Sequence, residues 1–128
     1  RVAGPSYDQG STLKALNFYE DFLILYETAP GISKYENPKQ YKTRVNEFKV
    51  RRKNAEIGRQ KMRETLASSK VEAGKYVEEY GKYFMTRWKE LGNRPAVQYY
   101  NEAITIAPES EAAKIAEKRV AQLRATNE

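Results

Sequence analysis

The chain contains no cysteine and no histidine among its 128 residues. Without cysteine it has no disulfide, no thiolate nucleophile and no Cys-ligated zinc. The absence of cysteine is compatible with both an oxidising and a reducing compartment. Without histidine it lacks the commonest general base and the commonest metal ligand. Aspartate occurs only at Asp8 and Asp21, and the adjacent acidic pairs Glu20-Asp21 and Glu78-Glu79 cannot face one another on a helix. We therefore predict that the protein is not an enzyme and that it holds no cofactor or metal.

Long apolar runs are also missing, whereas positive charge is concentrated in one segment. No run of eighteen apolar residues exists, so no transmembrane helix is predicted. Residues 39–63 hold ten Lys or Arg against two Glu, although the whole chain carries a net charge of only +6. Such a segment could bind an acidic protein or lipid surface, bind nucleic acid, or simply be a solvated helix face. The basic surface is predicted at Arg51, Arg52 and Arg59, and the scarcity of aromatic residues there argues against nucleic acid.

Proline is absent between Pro38 and Pro95. Apolar or small residues recur in a seven-residue rhythm through much of this interval, which predicts helix over most of it. The sequence leaves open one very long helix or two antiparallel helices with a turn near Ala67-Ser68-Ser69. We favour two helices, because only an antiparallel pair packs compactly in a repeat protein.

The most informative stretch runs from Arg94 to Pro108. Its Ala96, Tyr100, Ala103 and Pro108 have the small, aromatic, small, proline spacing of the second helix in a tetratricopeptide repeat. Small residues allow a neighbouring helix to approach closely, and proline ends the helix. A similar but incomplete spacing occurs in a predicted helix from Ser11 to about Glu27. The apolar face of this helix is formed by Ala15, Leu16, Tyr19, Phe22, Leu23 and Tyr26.

These patterns predict an all-α fold of about five helices, in antiparallel pairs of tetratricopeptide-repeat type with elongated central helices. The last helix, near 111–125, should turn inward Ala112, Ile115, Ala116, Val120 and Leu123. Residues 1–10 are predicted to be a flexible tail or loop, and residues 11–128 a single helical-repeat domain.

Two segments together resemble the BamD family of outer-membrane assembly lipoproteins. One is Leu16–Tyr26, with its Tyr19, Phe22, Leu23 and Tyr26; the other runs from Ala96 to Ile104 and on to Pro108-Glu109-Ser110. The resemblance covers about forty residues. It implies a tetratricopeptide-type scaffold on the periplasmic face of the bacterial outer membrane, in the machinery that inserts β-barrel proteins. Because residue 1 is not Met, we expect a fragment of a longer chain, with membrane contact only through an N-terminal lipid anchor that lies outside it.

A partner surface is predicted where the central helices end, at Tyr83, Arg87 and Trp88. Tyr, Trp and Arg are enriched at the energetic centres of protein interfaces, and Trp88 lies at a helix end where a groove would open. The leading functional prediction is a non-enzymatic scaffold whose partners are other proteins, either assembly-machinery subunits or peptides. The alternatives are a generic peptide-binding tetratricopeptide adaptor in another compartment, and a basic helical domain that binds nucleic acid.

Overall fold

A computed structural model describes residues 9–28 and 30–127 of the chain. The described part is all helical and contains no strand. Its five helices are α1 (Gln9–Leu25), α2 (Pro38–Phe84), α3 (Trp88–Leu91), α4 (Arg94–Ile106) and α5 (Glu111–Asn127). The predicted all-α class and the number of helices are thus confirmed. Most of the predicted tail, residues 1–8, lies outside the described residues, and residues 9 and 10 already belong to α1.

The central helix α2 is one continuous helix of 47 residues, about 70 Å long at a rise of 1.5 Å per residue. The preferred break at 67–69 is therefore wrong. Ser69 does not cap a new helix there; its hydroxyl donates to the Thr65 carbonyl one turn earlier, at 3.2 Å. Such a bond keeps the serine inside the helix. The helix begins at a capping box, in which Asn37 and Gln40 bond reciprocally just before and after Pro38 at its first position.

Helix α1 packs along α2, with Tyr26 near Phe48 and Glu20 near Arg63. Its predicted apolar face is confirmed, because all six residues of that face are buried or half-buried. Only Leu23 among them is fully buried, while the ring of Phe22 stacks on Tyr26, which in turn contacts Phe48 of α2. This half of the molecule is held by partly exposed aromatic side chains and encloses little core.

Helices α4 and α5 pack on the C-terminal half of α2 and enclose the main hydrophobic core. The three small and aromatic positions Ala96, Tyr100 and Ala103 are completely buried, as their spacing predicted. The ring of Tyr100 lies against Gly74 of α2, where a Cβ atom would come within 2.6 Å of the ring. After Pro108, Ser110 caps α5 by accepting a hydrogen bond from the Ala113 amide at 3.1 Å.

The prediction that Ile115 of α5 faces inward is wrong. Ile115 is 45% exposed, whereas Ala113 is completely buried. The other four predicted positions, Ala112, Ala116, Val120 and Leu123, are buried. The side of α5 that meets α4 and α2 is thus lined largely by alanine, which lets the helices approach closely.

Candidate protein-binding surfaces

The predicted partner site at the end of α2 contains two exposed side chains and one half-buried ring. Tyr83 is 74% exposed. Arg87 is exposed and pairs with Glu90 one turn later, at 2.6 Å. Trp88 is half-buried, and its ring lies so close to Gly81 that a Cβ at that position would be 2.8 Å from it. Tyr83 and Arg87 are therefore available to a partner, whereas Trp88 also fixes the turn between α2 and α3.

An aromatic row continues this surface along α2. Tyr76 contacts the rings of Tyr80 and Phe84 at centroid distances of 5.0 and 5.7 Å. Tyr80 and Phe84 are 43% and 53% exposed, so Tyr80 is a surface residue and does not fill the space between helices. The pKa of Tyr80 is raised, chiefly by the neighbouring charge of Glu79.

The three arginines of the predicted basic surface lie in different surroundings. Arg51 is exposed. Arg52 is half-buried and donates to the Tyr26 carbonyl at 2.7 Å and to the Leu23 carbonyl at 3.3 Å. Arg59, two turns further on, is also half-buried. A cation on the last carbonyls of a helix satisfies them and complements the helix dipole, so Arg52 serves the end of α1.

A groove of about 650 Å³ lies between α1, α2 and α4. We call it the three-helix groove. Its apolar lining comes from all three helices, and its polar lining comes from α2 and α4. The apolar residues are Leu13, Leu66, Val97 and Ile106, and the polar ones are Lys70, Arg94, Gln98, Asn101, Glu102 and Thr105.

A charged pair lies inside the three-helix groove. Lys70 Nζ is 3.3 Å from Glu102 Oε2, and the Lys70 ammonium also lies 5.8 Å from the ring centre of Tyr99. The pair is close enough for an ion pair, yet Glu102 Oε2 is buried and no described atom meets it with hydrogen-bond geometry. We regard it as an ion pair without a well-aligned hydrogen bond. The Glu102 side chain as a whole is 39% exposed and lines the groove.

A polar network ties two helices of the groove, α2 and α4, to α5. Glu78 of α2 accepts hydrogen bonds from the Tyr100 hydroxyl of α4 and from the Arg119 guanidinium of α5, the latter at 2.8 Å from Nε. Burial alone would raise the pKa of Glu78, but the bonds from Arg119 and Tyr100 outweigh burial and lower the pKa. Burial and the Glu78 carboxylate raise the pKa of Tyr100, so its hydroxyl stays a donor. One carboxylate thus ties three helices together.

Sequence reasoning missed the three-helix groove entirely. Leu13, Lys70 and Glu102 lie on three helices and are far apart along the chain. No local motif joins them, and only the packing of α1 and α4 onto the same helix brings them together. Their pattern on each separate helix resembles an ordinary amphipathic surface.

The described helices include none that combines the length and the apolar character needed to cross a membrane. The same residues contain no cluster of three or more carboxylates that could hold a metal ion. No family model, curated protein or solved structure matches the chain.

Proposed function

We propose that the protein is a non-enzymatic scaffold of tetratricopeptide-repeat type, similar to the BamD family of outer-membrane assembly lipoproteins. A partner helix or extended peptide docks in the three-helix groove, on the periplasmic face of the outer membrane. The three-helix groove is the observation that carries this proposal. A groove between helices with apolar side chains in its lining is one of the recurring sites at which a partner helix docks.

The contacts that α1 and α4 make with α2 support the repeat-type pairing. Residue numbers run in opposite directions where α4 meets α2, from the Glu78–Tyr100 bond to the Lys70–Glu102 pair. They also do so where α1 meets α2, from the Tyr26–Phe48 contact to the Arg63–Glu20 pair. This is the order expected of antiparallel helix pairs.

The pairing of α1 with α2 and the pairing of α4 with α2 also contain the same kind of close contact. Tyr100 of α4 lies on Gly74 of α2, and Tyr19 of α1 lies on Gly58 of the same helix. These tyrosines occupy matching positions in the two segments that resemble each other in sequence. An aromatic ring on a helix glycine brings two helices close together, which is how stacked helical repeats bury a continuous face.

The lining of the groove suits a protein segment in particular. Leu66 and Val97 offer apolar contact, while Gln98 and Asn101 can bond to a peptide backbone. The Glu102 carboxylate beside Lys70 adds a charged group that can select the partner.

Photo-crosslinking in the cells that make the protein tests this proposal. A photoreactive residue at Thr105, which is exposed in the groove, should crosslink one protein species. We expect mass spectrometry to identify that species as a subunit of the β-barrel assembly machinery. The control places the same residue at Lys118, which is exposed on α5 away from the groove and should give no such product.

A variant inside the groove separates docking from chance proximity. Asn101→Arg places a long cation in the groove, and because Asn101 is exposed it should leave the helical circular dichroism unchanged. The crosslink from Thr105 should then disappear. A crosslink that survives Asn101→Arg, or that forms equally from Lys118, would contradict docking in the groove. Recovery of the protein in the cytosolic fraction would contradict the proposed location.

A further inference from the structure

A second concave surface lies on the other half of the molecule, where α1 meets the basic part of α2. A notch of about 450 Å³ is lined by Phe18, Phe22 and Arg51 among others, and an adjoining hollow of about 350 Å³ by Val50 and Arg51 among others. Arg51 lines both, so they form one surface.

Exposed apolar side chains lie on both helices of this surface. Phe18 is 64% exposed, Val50 58% and Ile57 57%. Ile57 follows Val50 by two helical turns and Lys61 follows Ile57 by one, so the three share a face of α2. We call Phe18, Val50, Arg51, Ile57 and Lys61 the Arg51 patch.

The charges of the segment are mostly left without partners. Of the ten cations between 39 and 63, three form ion pairs: Arg44 with Glu36, Arg52 with Glu56 and Arg63 with Glu20. The other seven, among them Arg51 and Lys61, have no ion pair within the described part of the chain. The paired arginines serve the fold, as Arg52 does at the end of α1. The seven unpaired cations outnumber the carboxylate of Glu47, which also lines the hollow, so the field around the patch is positive.

We propose that the Arg51 patch binds an acidic amphipathic segment of a partner protein, at a site separate from the three-helix groove. The partner's apolar side chains enter the notch beside Phe18 and contact Val50 and Ile57, and its carboxylates pair with Arg51 and Lys61. Charge complementarity selects an acidic occupant. The concave notch favours inserted side chains, whereas a membrane surface offers a broad and nearly flat face.

The probe is a fluorescent helical peptide of about three heptads, with Leu and Phe on one face and Glu on the rest. Binding to the whole chain is followed by fluorescence anisotropy at low and high salt. Two control peptides accompany it: one with Gln in place of every Glu, and one with the same composition scrambled so that no apolar face exists. We expect the acidic amphipathic peptide to bind at least about tenfold more tightly than either control, and salt to weaken its binding.

The matched variants change the same charge at two places. Arg51→Glu with Lys61→Glu reverses the patch, whereas Lys89→Glu with Lys118→Glu reverses two exposed cations on the other half of the molecule. Since all four side chains are exposed, both double variants should retain the thermal unfolding midpoint. The patch reversal should weaken peptide binding by about tenfold or more, and the control reversal by less than about twofold.

Replacing apolar side chains tests the other half of the proposal. Ile57→Ser should weaken binding severalfold, whereas Ile115→Ser, at a similarly exposed isoleucine on α5, should not. Equal binding by the two double charge variants would overturn the proposal, as would equal binding of the acidic and Gln peptides. Tighter binding to anionic phosphatidylglycerol vesicles or to a DNA oligonucleotide than to the peptide would also overturn it. None of these results bears on the crosslink from Thr105, so the two proposals fail separately.

Discussion

Removing the hydroxyl of Tyr100 should destabilise the protein more than removing the hydroxyl of its neighbour Tyr99. Tyr100 is completely buried and donates to Glu78, which also binds Arg119. Tyr100→Phe keeps the ring against Gly74 and deletes only this donor. Tyr99 is half-buried, and Tyr99→Phe is the matched control.

The size of the effect follows from what remains around the carboxylate. A hydrogen bond to a charged group contributes about 1.5–3 kcal/mol. After Tyr100→Phe, Glu78 still holds Arg119 and its side chain is 14% exposed, so the lower end of that range applies. We expect a loss of about 1.5 kcal/mol in the free energy of unfolding, or about 5 °C in the unfolding midpoint. Tyr99→Phe should cost less than about 0.5 kcal/mol.

Urea unfolding followed by far-UV circular dichroism measures the stability of both variants. A second test compares the stability of the original chain and of Glu78→Gln at different pH values. The folded-state pKa of Glu78 is lowered from the ordinary value of 4.5. Its contribution is therefore fully present above pH 4.5 and is lost as the pH falls through the folded-state pKa below that value. The difference in stability between the original chain and Glu78→Gln should be constant above about pH 4.5 and should shrink as the pH falls below it.

Two results would refute this reasoning. Equal losses for Tyr100→Phe and Tyr99→Phe at neutral pH would show that the bond to Glu78 adds nothing to stability. A stability difference for Glu78→Gln that is unchanged in acid would show that the charge of the carboxylate is not its source.

The remaining predictions concern close contacts and a helix cap. Gly74→Ala should lower the free energy of unfolding by about 1–3 kcal/mol, because the new methyl group meets the buried ring of Tyr100. Gly58→Ala should cost less or be stabilising, because Tyr19 is only half-buried and can move away, and alanine favours the helix by about 1 kcal/mol. Urea unfolding compares the two variants. A larger loss of stability for Gly58→Ala than for Gly74→Ala would contradict this explanation. Asn37→Ala should remove about 1 kcal/mol by breaking the capping box and speed amide exchange in the first turn of α2, and unchanged exchange there would contradict the cap.

The features that the sequence predicted best depend on residues within one short segment of the chain. Ala96, Tyr100 and Ala103 share one face of a helix, and their spacing alone identified three completely buried positions. The mid-helix glycines of α2 are harder to interpret from the sequence. At Gly58 and Gly74 the close neighbour is a tyrosine ring from another helix. A sequence indicates that room is needed at such a position but does not identify what fills it.

The continuity of α2 and the three-helix groove depend on partners that are distant along the chain. Serine is a weak helix breaker, since the Ser69 hydroxyl can bond to the preceding turn, and the absence of proline and of a glycine cap near 67–69 was the better guide. Arg52 illustrates the same limit. Charge counting placed it on a basic surface, whereas its two bonds to α1 carbonyls follow from tertiary packing.

Because α2 is a single continuous helix, it also fixes the distance between the surfaces that lie along it. Arg51 and Lys70 lie on the same rod, about 28 Å apart along its axis, with no hinge between them. Two partners bound at the proposed surfaces would be held at a fixed spacing and a fixed relative rotation. Inserting one residue between the two positions would turn one surface by about 100° relative to the other, while each could keep its own shape. The length and phase of this helix would then set the geometry of any assembly built on both surfaces.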